Sequence, residues 1–280
     1  MKKSDKLDKL DKTEQIEIDM LLETIFRQRG YDFRNYARAS LERRVRSQMS
    51  NSGLKYISEL IPYMLYDDET FDSFLKNMSI TVTDMFRDPL FFKALRTQVI
   101  PKFTALPYIK IWCAGCATGE EVYSLAIILK EEGLYDRCQI YATDYNTNSL
   151  DIAKDGQYPL NKMKQFITNY NKAGGNKIFG DYYHARYNFV KLHKELRQKI
   201  VFSHHNLVSD SVFGEMNLIL CRNVLIYFNQ ILQNRVFTLF NESLANGGFL
   251  CLGTRESLEF SSLEALYKKV LVKQKIFRKK

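Results

Sequence analysis

Ile109-Lys110-Ile111-Trp112-Cys113-Ala114, then Gly115-Cys116-Ala117-Thr118-Gly119, then Glu120-Glu121-Val122-Tyr123-Ser124 is the stretch that decides the architecture. A short apolar run bounded by a glycine-bearing turn reads as a buried strand, and the turn opens a helix over roughly Glu120–Lys130. The pattern recurs downstream. Gln139-Ile140-Tyr141-Ala142-Thr143 is a second strand, with a helix beginning near Thr147. Leu218-Ile219-Leu220-Cys221 is a later strand, followed by an amphipathic helix carrying Ile231, Leu232, Val236, Leu239, Phe240 and Leu244. Asn246-Gly247-Gly248 then turns into the strand Phe249-Leu250-Cys251-Leu252. Strands alternating with helices predict an α/β fold with a parallel, doubly wound sheet. Tyr267, Val270, Leu271, Val272, Ile276 and Phe277 mark two closing strands. Between Asp155 and Lys199 the alternation lapses, with Gly174-Gly175 as a turn signal, which predicts a small inserted β-rich subdomain.

Upstream the period is helical. Residues 1–13 read as a frayed, polar lead-in. From Glu14 to Arg96 the spacing predicts a small all-α module, with Ile16, Met20, Leu21/Leu22 and Ile25/Phe26 as the first apolar face and Gly30 as its stop. Ser40 caps a second helix with Leu41, Val45 and Met49 buried, Arg43 and Arg46 opposite them and Arg44 on the flank. Leu54, Ile57, Leu60/Ile61 and Met64/Leu65 give a third helix, and Phe71, Phe74, Leu75 and Met78 a fourth. Asp88-Pro89 opens a further helix, which Pro101 closes. The expected organisation is therefore an all-α domain over 14–96, then an α/β domain over 97–280 with the β-subdomain inserted at about 155–200.

The 280 residues are 45 % hydrophobic and 26 % charged, with 13 Gly and 5 Pro, which excludes disorder and collagen-like repeats. No apolar run reaches the ~18–20 residues of a membrane span. Met1-Lys2-Lys3-Ser4-Asp5-Lys6 leads into mixed charge and not into an apolar signal core. Five cysteines read as reduced thiols, so a cytoplasmic location is expected. The net charge of +9 points to an acidic partner.

The glycine-bearing loop sits where a nucleotide-binding turn would, but Glu120 and Glu121 occupy the helix start where a pyrophosphate would rest. Two carboxylates there suit a ligand that brings an ammonium group or hydroxyls; acidic residues also favour helix N-termini in their own right. Asp144 closes the second strand, 25 residues after Gly119, at the distance of an acid that accepts from ribose hydroxyls; simple helix capping is the alternative. An adenosine bearing an amino acid and no phosphates fits both features, which suggests S-adenosylmethionine. Cys113 and Cys116 have C-x-x-C spacing without a second pair, and His204-His205 point apart along an extended chain, so no metal is expected. Arg38, Arg43, Arg44 and Arg46 are either a solvated helix face or, on a module read as basic, a docking surface for acidic partners. No nucleic-acid-binding motif is present, and none is expected as a partner.

Thr81-Val82-Thr83-Asp84-Met85-Phe86-Arg87-Asp88, the string Trp112 to Ser124, Ala142-Thr143-Asp144, Asn206-Leu207 and Cys221-Arg222-Asn223-Val224-Leu225-Ile226-Tyr227-Phe228 together resemble the chemotaxis receptor glutamate O-methyltransferases. The resemblance runs from about Tyr31 to the C-terminus. It implies a small helical N-terminal domain, then a Rossmann-like methyltransferase domain with an inserted β-subdomain, and S-adenosylmethionine as methyl donor. By the same resemblance, donor contacts fall on Thr81, Thr83, Arg87, Glu121, Asp144, Asn206, Leu207, Arg222 and Asn223, and methyl transfer on Arg87 and Tyr227. Three positions depart from the common family pattern: Thr81 where Asn is frequent, Met85 where an aromatic is frequent, and Asn217 where Asp often opens the strand.

The implied activity is methyl transfer to glutamate side chains of methyl-accepting chemoreceptors. Partners would be the acidic helical cytoplasmic domain of those receptors and, at the β-subdomain, a receptor C-terminal peptide. A monomer without membrane insertion is expected. A non-catalytic cofactor-binding signalling module, or the same chemistry in another signalling pathway, are the alternatives. The chemistry suits the residues. A glutamate carboxylate is already ionised at neutral pH and needs no general base to attack a sulfonium methyl; it needs in-line placement and partial desolvation.

Overall fold

The computed structural model describes residues 2–78, 83–259 and 261–280, with side chains of the first helix from residue 12 onward. The chain forms two compact units, Met1–Ile80 with Tyr227–Gln233, and Thr81–Ile226 with Asn234–Lys280.

In the first unit, α1 (Lys2–Arg29) continues through the stretch expected to fray. Its buried face is Ile18, Leu21, Leu22 and Ile25. Ile16 and Met20, expected inside, are 60 % and 54 % exposed; the stripe at i, i+3, i+4 and i+7 starts at Ile18 and leaves both on its far side. α2 (Arg38–Asn51) begins after Ala37 rather than Ser40 and buries Leu41, Arg44, Val45 and Gln48. A 3₁₀ turn (Ile57–Glu59) leads into α3 (Leu60–Tyr66), and Asp67 caps α4 (Asp68–Met78) by accepting from the N–H groups of Glu69 and Thr70. Phe33 meets Phe74 and Tyr36 edge-on, and Tyr36 in turn meets Phe228 at 5.1 Å. Between Met1 and Ile80 the sequence carries 14 Lys/Arg and 14 Asp/Glu, so the net charge of +9 lies entirely beyond residue 80. The expected basic character of the helical module is not in its composition.

In the second unit, α5 (Pro89–Ala94) and the turns after it bury Phe91, Phe92, Leu95 and Val99 in the same core as the sheet, which places the division at 80/81 and not at 96/97. The main sheet has seven strands: β1 (Ile109–Ala114), β2 (Cys138–Asp144), β6 (Ile200–His204), β7 (Met216–Cys221), β8 (Leu244–Leu252), β9 (Tyr267–Leu271) and β10 (Ile276–Lys279). Their order is β6-β2-β1-β7-β8-β10-β9. β6, β2, β1, β7 and β8 run parallel, and β10 is antiparallel to both β8 and β9. Asn217 opens β7 and accepts from the Lys110 N–H at 2.9 Å. α6 (Glu120–Glu131) is buried along most of its length, α7 (Thr147–Asp155) follows β2, and α9 (Gln230–Ser243) precedes β8. Ile231, expected on the buried face of α9, is 71 % exposed.

The insertion contains β3 (Gln157–Pro159), β4 (Tyr183–Arg186) and β5 (Phe189–Leu192) in a separate antiparallel sheet ordered β3-β5-β4. It is also partly helical. α8 (Met163–Lys172) buries Met163, Phe166, Asn169 and Tyr170, apolar positions at 3.6 spacing that the β-rich expectation passed over.

Candidate active site

Because β6, β2, β1 and β7 are parallel neighbours, the segments leaving their carboxyl ends line up along one edge of the sheet, at the point where the strand order reverses. Asn206 and Leu207 follow β6, Asp144 ends β2, the Gly115–Gly119 loop follows β1, and Arg222 and Asn223 follow β7.

The loop is pinned by its backbone. The N–H groups of Gly115 and Cys116 both donate to the Thr143 carbonyl, and the Ala117 N–H donates to Asp144 Oδ2 at 2.9 Å. Gly119 caps α6 at φ 91°; a Cβ there would lie 2.9 Å from the Ala153 Cβ. Asp144 Oδ1 accepts from the Asn146 N–H at 2.9 Å. Each Asp144 oxygen retains lone-pair capacity toward a ligand. Burial pushes the Asp144 carboxyl above the usual carboxylate value, against the pull of those N–H donors.

The two carboxylates at the start of α6 take different roles. Glu120 is 1 % exposed, accepts from Thr118 Oγ1 at 2.6 Å, and pairs with Lys162 Nζ at 3.3 Å. Lys162 also donates to the Thr83 carbonyl, and Tyr158 donates its hydroxyl to the Thr118 carbonyl, so the insertion holds the loop from behind. Glu121 instead accepts from Arg222 Nη1 at 2.8 Å, and burial raises its pKa while Arg222 and then Arg87 oppose the rise. Arg222 bridges to Asp88 at 2.7 Å and reaches the Arg87 carbonyl, with its Cζ 3.9 Å from the Phe91 ring centroid. Phe86 and Asp88 flank Arg87 with φ of 53° and 59°.

The all-alpha domain of the CheR methyltransferase family matches residues 16–79, and the SAM-binding domain of the same family matches 81–275. A Pseudomonas putida protein described as putative methyltransferase Cher3 is 45 % identical over 96 % of this chain and 98 % of its own. A Listeria innocua chemotaxis protein methyltransferase is 30 % identical over 82 % of this chain and 85 % of its own. The chain belongs to the CheR methyltransferase family. It is a Rossmann-like, S-adenosylmethionine-dependent methyltransferase preceded by an all-α domain, as the motifs led us to expect.

The family donor suits the edge described above. Its carboxylates are matched to hydroxyls and an ammonium group, and the 115–119 loop offers no cationic side chain for a phosphate. Of the expected contacts, Thr83, Arg87, Glu121, Asp144, Asn206, Leu207, Arg222 and Asn223 all fall within the second unit. Asn206 folds its loop by accepting from the Val208 N–H, while its own N–H donates to Asp210. Thr81 lies outside the described residues. Tyr227 belongs to the first unit, where its carbonyl accepts from the Ala37 N–H and its ring lies 4.7 Å from the Arg44 Cζ. His205 is a core residue, edge-on to Trp112 and in contact with the Ser211 carbonyl, and all five cysteines are free and buried.

Sequence reading passed over Lys162 and Glu256. Glu256 is 4 % exposed, and its carboxylate accepts from four backbone N–H groups. The only signal for it is an acid three residues beyond the glycine that ends a strand.

Proposed function

We propose that this protein transfers the methyl group of S-adenosylmethionine to glutamate side chains of chemoreceptors, forming methyl esters. The observation that carries the reading is the pair Asp144 and Glu121 at one sheet edge, in a chain whose relatives include proteins named chemotaxis protein methyltransferase. The bound donor supplies an electrophilic methyl on a sulfonium. Asp144 accepts from the ribose hydroxyls, Glu121 is held for the donor by Arg222, and Thr81, Thr83, Asn206, Leu207 and Asn223 complete the contacts. Arg87 orients a carboxylate, that of the acceptor or of the donor, and Tyr227 takes part in transfer. The acceptor is nucleophilic as it stands, so placement and partial desolvation account for the acceleration and no base is required.

The helical domain, which ends at Ile80 and not at residue 96, docks acidic receptor helices in this reading, and the α/β domain transfers the methyl group. An open groove lined by Pro159, Leu160, Asn161, Asn188 and Phe189 beside the small sheet supports a receptor-tail peptide as second contact. The enzyme is a cytoplasmic monomer in this reading; among the described residues no helix is long and apolar enough to cross a membrane. The test is to label receptor-bearing membranes with tritiated donor, raise the pH, and count volatile radioactivity. An ester releases methanol under mild base. Label that stays on the protein overturns the glutamate assignment.

A further inference from the structure

We infer that Glu256 is a positioning residue for methyl-donor binding, acting through the Asn223–Val224 turn; the inference rests on the donor site proposed above. The Glu256 side chain comes from the segment after β8, yet it organises the segment after β7. Oε2 accepts from the Asn223 N–H at 3.0 Å and the Gly253 N–H at 2.5 Å, and Oε1 accepts from Val224 at 2.8 Å and Leu225 at 2.7 Å. Only a carboxylate meets four donors with acceptors alone; a glutamine would turn an NH₂ toward two of them. The turn needs such a clamp, because Asn223 sits at φ 62°, a conformation uncommon outside glycine.

Two close approaches make the clamp consequential for the donor. A Cβ at Gly253 would fall 2.7 Å from Glu256 Oε2 and 2.8 Å from the Asn223 nitrogen, so the carboxylate and the turn lie directly against the bare Cα of Gly253. A Cβ at Gly115 would meet Val224 Cγ2 at 2.5 Å. Val224 therefore packs directly on the first glycine of the donor loop. Through three N–H groups, Glu256 sets both where Asn223 presents its amide and how far the segments after β1 and β7 stand apart.

The experiment is titration calorimetry of S-adenosylhomocysteine against wild type, Glu256→Gln, Glu256→Asp, Asn223→Ala and the double variant Asn223→Ala/Glu256→Gln, with melting temperatures measured in parallel. Glu256→Gln is expected to weaken binding about tenfold or more, as befits loss of charge-assisted hydrogen bonds. Glu256→Asp, which keeps the carboxylate on a shorter stem, is expected to recover part of that affinity. The double variant is expected to lose less than the product of the two single losses, since both act through one turn. A folded Glu256→Gln protein of wild-type affinity, or losses that multiply fully, overturns the inference. If Glu256→Gln does not fold, Gly253→Ala decides: it displaces the same carboxylate, and unchanged affinity there overturns the inference too. A wild-type protein that binds no S-adenosylhomocysteine defeats the donor site itself, an outcome distinct from either.

Discussion

Arg222 Nη1 lies 2.8 Å from Glu121 Oε2, and the guanidinium that spans Glu121 and Asp88 is only 1 % exposed. Removing one partner of a buried pair leaves the other charge uncompensated. Arg222→Met is therefore expected to destabilise the protein by on the order of 3 kcal/mol and lower its melting temperature by several degrees. Arg222→Lys is expected to recover little, because an ammonium cannot reproduce the fork that reaches two carboxylates and a carbonyl. Thermal melts of the three proteins check this.

Asp144→Ala is expected to weaken S-adenosylhomocysteine binding roughly ten- to a hundredfold, the scale of lost charge-assisted hydrogen bonds at about 1.5–3 kcal/mol. Calorimetry that returns equal affinities would remove Asp144 from the ribose contact.

The same carboxylate gives a pH dependence whose sign is fixed. Burial raises the Asp144 pKa in the folded protein above 3.8, so the native state holds its proton more tightly than the unfolded chain does. The stability tied to that proton is present below the unfolded value and is lost as pH climbs through the folded one. Donor binding runs the other way, since it uses the ionised form. Affinity is expected to fall on acidification at a higher pH than an unperturbed aspartate would set, and Asp144→Asn is expected to flatten that fall. Calorimetric titrations over a descending series of pH values measure both.

Among the α2 arginines, Arg43 and Arg46 are no longer equivalent. Arg46 pairs with Glu14 and approaches Glu42, Arg38 pairs with Asp19 and Glu42, and Arg44 is buried, while Arg43 is exposed. If this helix docks the receptor, Arg43→Glu is expected to raise KM for receptor, less so at high salt, without altering donor affinity. A KM indifferent to both the reversal and the salt moves the docking surface elsewhere.

Tyr227→Phe keeps the ring beneath Arg44 and removes only the hydroxyl. The melting temperature is expected to hold while volatile methanol counts drop. Full activity would leave Tyr227 as a packing residue.

Much of this was legible in the chain. The runs at 109–114, 139–143, 218–221 and 249–252 are short, apolar and bounded by turn residues, and each is a strand of the main sheet. β6 was not legible, because it is an edge strand whose apolar run, Ile200-Val201-Phe202, is only three residues long before the exposed Ser203 and His204. The buried Arg44 was read as a flanking charge, since its burial depends on Tyr227 and the Met78 carbonyl, remote in sequence. Glu121 and Asp144 announce themselves by their distance from Gly119. Glu256 and Lys162 do not, for their partners are backbone groups and a carboxylate on other elements.

The anchoring of the 115–119 loop also bears on the order of assembly. Its contact with Tyr158 and the Glu120–Lys162 pair beside it join positions 40 and 42 residues apart, and the Glu256 clamp bridges a further 33. Closing such loops costs chain entropy before any contact rewards it, which slows the steps that depend on them. The parallel sheet faces the same cost, since Ile111 pairs with Leu218 and Ile140 with Ile200, whereas the helices close through neighbours in sequence. During refolding, ligand affinity is accordingly expected to return with the sheet and the insertion, later than the helical signal, which needs only local contacts.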